Sequence, residues 1–408
     1  MKKRSLPAAA RRADPARTGN APPAKTRENR RGSVAAAAGH GDERDAAAAG
    51  RERTPAEAGH GTCPAWRRQR RERLAEARAE SRRELAARWP LLPREALPQE
   101  DFSVQVAPRG YVEPLVEELG ARVITVRGRL VLAHGQAAAA WAQNVWTAPR
   151  WLDAPSIGQA VRQLTALQRN WRGHALPKSG HQRRQALMEA ALPHVASRPL
   201  TFGAPAPAAP LGAFALWDHD LLLASPDTTS PFADGEMTFV ENRDEPPGRA
   251  YLKLWETFTF DGVQPQPGEL CVDLGAAPGG WTWVLARLGA RVFSLDKAEL
   301  APLVGRMPNV NHCLGSGFGL TPEQVGRIDW LFSDMICYPA RLLQVVRQWI
   351  AARACAHAVC TLKFQAGTDH AVSREFAAIP GGQLRHLSCN KHELTFIWHE
   401  AAAQRQRA

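Results

Sequence analysis

The residues best suited to chemistry lie in one run, Asp273-Leu-Gly-Ala-Ala-Pro-Gly-Gly-Trp281. The apolar stretch ELCVDL leads into it and the helix-prone WTWVLARLG leaves it, so a buried strand hands over to a helix here. Glycines let backbone approach a ligand closely, and a helix N-terminus offers unpaired N–H groups. In open α/β sheets ligands bind beyond the carboxyl ends of the strands, which is where this loop falls. Asp296 ends the next strand, well placed to bond ribose hydroxyls. The combination points to a nucleoside cofactor. Dinucleotide sites share the layout, but their fingerprint is G-x-G-x-x-G. This loop reads Gly275-Ala-Ala-Pro-Gly279-Gly280, with proline where a pyrophosphate cradle needs an N–H. A sulfonium nucleoside without phosphates fits better. The bland reading, a glycine turn serving only strand-to-helix packing, is weakened by Asp296.

The elements around the loop repeat in a fixed order. From Glu269, ELCVDL, ARVFSLD, NVNHCL, DWLFSD and HAVCTLK read as strands, with GGWTWVLARLG and PARLLQVVRQWIAAR as helices. Alternation of this kind implies a doubly wound, Rossmann-like parallel sheet over 246–400. GQLRHLSCNKHELTFIWH reads as two strands joined by a polar turn, so the sheet is expected to end in an antiparallel hairpin. Over 101–245 the pieces are shorter. FSVQVAP is a strand, GYVEPLVEELG a helix stopped by Gly120, ARVITVRG and RLVLAHG a strand pair, and QAAAAWAQNVW a second helix. This βαββα order suggests a small α+β region of ferredoxin-like type. SIGQAVRQLTALQ follows as a helix and ALWDHDLLLAS as a hairpin turning at Asp218 and His219, with the Pro- and Ala-rich GAPAPAAPLG as a linker between them.

Composition narrows the class. The net charge of +12 invites a nucleic-acid reading, but residues 1–90 hold 22 Lys and Arg against 11 Asp and Glu, so the excess belongs to the N-terminal segment. Residues 1–65 are Ala-, Arg-, Pro- and Gly-rich without apolar period, and disorder is expected there. Residues 67–89 are expected to form a short charged helix at the end of this segment. The seven cysteines form no C-x-x-C pair and read as small buried residues of a reducing compartment. No apolar run is long enough for a membrane span, and the basic N-terminus lacks the apolar core of a signal peptide. A cytoplasmic protein is expected.

The DLGAAPGGW loop, with RAYLKLWE, SDM, TLKF and HELTFIW around it, resembles the FtsJ-like ribose methyltransferases, most specifically the RlmM type that modifies large-subunit ribosomal RNA. The resemblance covers about 249–398. It implies S-adenosylmethionine as cofactor and a Lys-Asp-Lys-Glu tetrad, matched here by Lys253, Asp334, Lys363 and Glu393. It implies cofactor contacts from Asp273, Gly275, Ala277, Pro278, Gly279, Gly280, Trp281, Asp296, Ser316 and Asp334. RNA is the implied partner, 23S rRNA and a cytidine in it the implied target. Two departures stand out. The family's E-D-G-F segment, implied to contact the adenine, is here Leu314-Gly-Ser316-Gly-Phe318, and the family's Ser ahead of the first Lys is Ala250.

The chemistry of these residue types agrees. Methyl transfer from a sulfonium to a ribose hydroxyl needs that hydroxyl deprotonated as it attacks in line, and needs no metal. Lys363, ending a buried strand near Lys253, is the candidate base, its amine lowered by burial and cationic neighbours. Asp334 is expected to hold it, and Lys253 and Glu393 to orient the ribose. A base methyltransferase would be expected to carry an N/D-P-P-Y/F loop, where this chain has Asp334-Met-Ile-Cys. Two other classes stay open: a catalytically silent RNA-binding protein of the same fold, and a nucleotide-dependent oxidoreductase. The N-terminal region resembles a ferredoxin-like RNA-binding part followed by a reduced THUMP module. There the basic runs Arg169-Asn-Trp-Arg172 and KSGHQRR (178–184) are candidates for phosphate binding and base stacking.

Overall fold

The computed structural model describes residues 89–136, 139–177 and 179–407, with scattered positions between 68 and 88. Those scattered positions are helical. The expected disorder of 1–65 lies outside the described residues, as do Cys63 and Lys178. Three sheets carry the described chain.

The first contains β1 (Phe102–Val106), β2 (Val123–Arg127), β3 (Leu130–His134) and β4 (Asn144–Trp146), with helix α1 (Val112–Leu119) between β1 and β2. The order is β2-β3-β1-β4 and every pairing is antiparallel. The expected second helix over QAAAAWAQNVW does not form. Its described residues make a turn and then β4, and residues 141–146 are all buried, where a surface helix would turn one side of them to solvent. Glu118 of α1 fixes that turn, accepting from the Ala140 and Trp141 N–H groups at 2.8 and 3.0 Å.

The second sheet, ordered β5-β8-β7-β6, comprises β5 (Arg150–Asp153), β6 (Trp171–Gly173), β7 (Gly212–Asp218) and β8 (Leu221–Ser225). Helices α2 (Ile157–Leu167) and α3 (Gln182–Ala191) belong to it. Ser156 caps α2 by accepting from the Gln159 N–H. The basic run around Trp171 is therefore not a stacking surface. Trp171 is fully buried, its indole N–H donating to the Leu164 and Gln168 carbonyls, while Arg172 is paired with Glu189. Of the described part of KSGHQRR, 182–184 lie within α3, and Arg184 donates to the Ala154 carbonyl.

The third sheet has seven strands. Helix α4 (Tyr251–Asp261) precedes β9 (Leu270–Leu274), followed by α5 (Gly280–Arg287), β10 (Arg291–Asp296), β11 (Val310–Leu314), β12 (Ile328–Ser333), α6 (Pro339–Ala351), β13 (Cys355–Lys363), α7 (His370–Ala377), β14 (Gly382–Arg385), β15 (Glu393–His399) and α8 (Glu400–Arg407). The order is β11-β10-β9-β12-β13-β15-β14, parallel through β13, with β15 antiparallel between β13 and β14. This is the Rossmann-like methyltransferase sheet expected, hairpin included. Helix α4 buries every residue from Tyr251 to Phe258, the polar Lys253, Glu256 and Thr257 included. It packs with α5 on one face of the sheet, and α6 and α7 cover the other.

The N-terminal sheet is joined to this body by a continuous core. Trp141 packs against Phe364, His386 and His392, Tyr111 stacks on His392, and the His386 N–H donates to the Ala140 carbonyl. Among the described cysteines, Cys271, Cys337, Cys355 and Cys360 are buried as expected, whereas Cys313 is exposed and Cys389 half-buried. No described helix is long and apolar enough to cross a membrane.

Phe396 sits fully buried in the middle of β15, against Phe376 of α7. Phe396→Ala is expected to destabilise the protein by about 3 to 5 kcal/mol, read as a lower denaturant midpoint. An unshifted midpoint would contradict this placement of β15.

Candidate active site

The strand order reverses between β9 and β12, where neighbouring strands lead the chain to opposite sides. Ligand crevices open at such points in doubly wound sheets. A cavity of about 450 Å³ lies here, lined by the loops after β9, β10, β11 and β12. Of the ten residues expected to hold a cofactor, Asp273, Gly275, Ala277, Pro278, Gly280, Trp281, Asp296, Ser316 and Asp334 line it. Gly279 does not. It starts α5 at φ +111°, and a Cβ there would press on Val304, so its part is to turn the chain. Trp281 borders the cavity from within the core, its indole N–H donating to the Ala250 carbonyl at 2.9 Å. Residues the sequence reading missed also line the wall: Lys297, Gly317, Phe318, Met335 and Ile336. Each follows the carboxyl end of a strand, a signal available from the strand assignments alone.

The loop is built for close approach. Gly275 adopts φ +78°, and a Cβ there would meet Met335 within 2.5 Å of its Cγ. The Gly275 N–H donates to the Leu295 carbonyl, which ties the loop to β10. Asp296 accepts from the Ala277 and Ala298 N–H groups, one at each oxygen, and each oxygen keeps an accepting direction for a hydroxyl. Asp273 is wholly buried. Its Oδ2 accepts from the Thr282 hydroxyl at 2.6 Å, while its Oδ1 has no hydrogen-bond partner. Burial, with Asp334 and Asp296 adding to it against the Thr282 bonds, raises this carboxyl to about 7. An unpaired buried carboxylate oxygen beside bare backbone suits a ligand with a cationic amine, and the cavity suits a nucleoside.

The four polar residues expected to act together meet at the edge of this cavity. Lys253 Nζ stands 3.0 Å from Asp334 Oδ1 and 2.8 Å from Glu393 Oε1. Lys363 Nζ lies 3.0 Å from the same Asp334 Oδ1 and donates to the Asp334 carbonyl at 2.6 Å. The fold accounts for the convergence. Asp334 follows β12, Lys363 ends β13, and Glu393 opens antiparallel β15 directly opposite Lys363, so all three lie at one edge of the sheet. Lys253 reaches them from the first turn of α4. The side chains are 8, 17, 20 and 11% exposed for Lys253, Asp334, Lys363 and Glu393. Buried charges persist only when paired, and here two cations face two anions. Burial opposes the charge on Lys253, but Asp334 and Glu393 prevail and hold its amine above the ordinary lysine value. Burial also acts to raise Asp334, and the two lysines outweigh it, holding the carboxyl below its usual range.

A second hollow, of about 880 Å³, opens on the other side of this quartet, between the N-terminal sheet and the seven-stranded body. Its wall includes Arg109, Tyr111, Arg249, His386 and Lys391, as well as Lys253, Lys363 and Glu393. Glu256, one turn after Lys253 on α4, closes its floor. That carboxylate accepts from the Ser388 N–H and hydroxyl, and burial outweighs these bonds to push it to about 7.

The buried Asp273 gives a testable sign. Between its unfolded value near 4 and about 7 the folded form holds a proton that the unfolded chain has released, so this group's contribution to stability falls as pH rises through that window. Asp273→Asn removes the ionisation. In the ligand-free protein, the variant's melting temperature relative to wild type is expected to be higher at pH 8 than at pH 5, by roughly 2 °C or more. A difference independent of pH would contradict the assignment.

Residues 247–373 match the family profile described as FtsJ-like methyltransferase. Among curated relatives, the ribosomal RNA large subunit methyltransferase M of Laribacter hongkongensis is 35% identical over 179 residues, 40% of this chain and 50% of its own length. Its namesake in Xylella fastidiosa is 39% identical over 125 residues, 29% and 35% of the two chains. That of Methylococcus capsulatus is 37% identical over 142 residues, 34% and 40%. The matches thus span about half or less of these relatives' length. A solved ribosomal RNA methyltransferase from Plasmodium falciparum aligns at 16% identity over 37% of this chain and 96% of its own, with a TM-score of 0.28, too slight a likeness to bear on function. Residues 247–373 thus resemble the FtsJ-like methyltransferases, a match over 127 of the 408 residues.

Proposed function

We propose that this protein methylates the 2′-hydroxyl of a ribose in large-subunit ribosomal RNA, a cytidine by resemblance. The observation that carries the reading is the charge-paired quartet standing where the cofactor cavity and the larger cleft meet. S-adenosylmethionine, when bound, supplies an electrophilic methyl group. Asp273 Oδ1 takes its amine, Asp296 its ribose hydroxyls, and the glycine loop and Ser316 enclose it. Ala250 and the Leu314-Gly-Ser316 segment depart from the family pattern, yet both positions help line the cavity through Ala250, Gly315 and Ser316.

The residues around the ribose divide the work by their surroundings. Lys253, held by two carboxylates, keeps its proton and serves as a fixed cation that orients the hydroxyl. Lys363 touches one carboxylate and one carbonyl, and is the better placed of the two amines to take the hydroxyl proton at Nζ. Asp334 anchors both lysines, and Glu393 fixes Lys253 from the far side.

RNA enters by the larger cleft. Arg109 and Arg249 on its wall are paired with Glu236 and Glu241 near the surface, and such exposed pairs are weak enough to exchange for phosphate. The strand order of the first sheet favours reading 101–245 as a ferredoxin-like RNA-binding region followed by a reduced THUMP-like part, with the methyltransferase over 246–400 and a basic arm over 1–90.

Mass spectrometry of ribose methylation in ribosomal RNA tests the proposal, using cells lacking the gene and complemented with wild type or Lys363→Ala. Wild type should restore a missing 2′-O-methyl mark and the variant should leave it absent. Restoration by the variant would remove Lys363 from its role, and no missing mark at all would remove the activity.

A further inference from the structure

The loop leaving β12 alternates sharply between hidden and bare side chains. Met335 and Cys337 are buried, whereas Ile336 is 83% and Tyr338 69% exposed. Single apolar residues at a surface are ordinary. Ile336 stands at a particular place, and Tyr338 follows it by two residues. Ile336 borders both the cofactor cavity and the larger cleft, a position shared with Ala250 and Lys363. Ala250 is half-buried and Lys363 is tied to Asp334, so Ile336 is the exposed apolar member of that boundary.

The boundary sets a geometric demand. A ribose attacked from the cavity side must sit at the quartet, whose side chains are at most 20% exposed. The nucleotide carrying it must come below the surface of the surrounding loops, which a base still paired in a duplex does not do. Once withdrawn from its stack, the base needs an apolar surface in place of its neighbours, which Tyr111 and Phe239 offer within the cleft and Ile336 at its boundary with the cofactor cavity.

We propose that Ile336 and Tyr338 form that apolar rest, Ile336 beneath the base of the target nucleotide and Tyr338 against the base next to it. The inference rests on the ribose methyltransferase reading and adds an unpaired nucleotide as its substrate. Both are positioning residues. Because every base presents an apolar face, the rest holds the nucleotide in register without choosing its identity.

The test is steady-state methyl transfer to protein-free large-subunit ribosomal RNA prepared from cells lacking the gene. Ile336→Ala and Tyr338→Ala are each expected to lower kcat/KM for RNA about tenfold, chiefly through KM. The melting temperature should stay at the wild-type value, since neither exposed side chain supports the core, and the dissociation constant for S-adenosylmethionine by calorimetry should stay there for Tyr338→Ala and change far less than kcat/KM for RNA in Ile336→Ala, whose side chain lines the cofactor cavity. Ile336→Leu should recover most of the loss. The proposal is overturned if both alanine variants keep wild-type kcat/KM, or if Ile336→Ala weakens S-adenosylmethionine by the same factor as RNA. A wild-type protein that leaves the RNA unmodified would overturn the parent reading and this one together, whereas indifferent variants of an active enzyme overturn this one alone.

Discussion

Two ammonium groups and two carboxylates have been taken out of water together, and their mutual neutralisation governs the seven-stranded body. Asp334 Oδ1 is the node, since both lysines reach it at 3.0 Å. Removing any one partner leaves a buried charge uncompensated, which costs far more than an exposed pair contributes. The four elements that bring them must therefore hold their relative positions closely. The β12 and β13 strands supply neighbouring ends, α4 lies buried against the sheet from Tyr251 to Phe258, and β15 runs opposite to β13 so that Glu393 faces Lys363. The reversal of β15 puts a carboxylate, carried at the start of a strand, at the same edge as residues that end theirs.

The same constraint separates the two amines. Lys253 and Lys363 are alike as residue types, yet their partners differ. Glu393 makes the difference, because it touches Lys253 at 2.8 Å and gives that amine a second anion. Specialisation of identical side chains thus comes from the count of their partners. Asp273 and Glu256 show the opposite case, carboxyls whose burial outweighs what opposes it, the Thr282 bonds for one and Ser388 with Arg385 for the other, and which rise to about 7. One of them keeps an oxygen without any partner in the cofactor cavity, while the other is satisfied by the backbone and hydroxyl of Ser388.

Much of this was legible in the residue order, and the reason is local. A strand that ends in Asp-Leu-Gly and turns into a helix announces its loop within a few residues, and ELCVDL, ARVFSLD and HELTFIWH carry their pattern in their own side chains. The quartet was legible by resemblance, through four short motifs. What escaped depends on distant neighbours. QAAAAWAQNVW has helix-forming alanines, yet its Trp141 is fixed by Phe364, His386 and Glu118, residues that no local pattern displays. Trp171 and its flanking arginines look like a nucleic-acid surface until Glu189 of α3 is folded against them.

The core shared by Trp141, Phe364, His386 and His392 has an evolutionary corollary. A domain joined by a bare linker can be lost, duplicated or exchanged by recombination with little harm to its neighbour. Here the hairpin that delivers Glu393 is itself plugged by a tryptophan from the preceding region, and its His386 N–H is bonded to the carbonyl beside that tryptophan. Gene fusion or truncation near residue 246 would open the aromatic seam along with the linker. The two halves are thereby bound to diverge as one inherited unit.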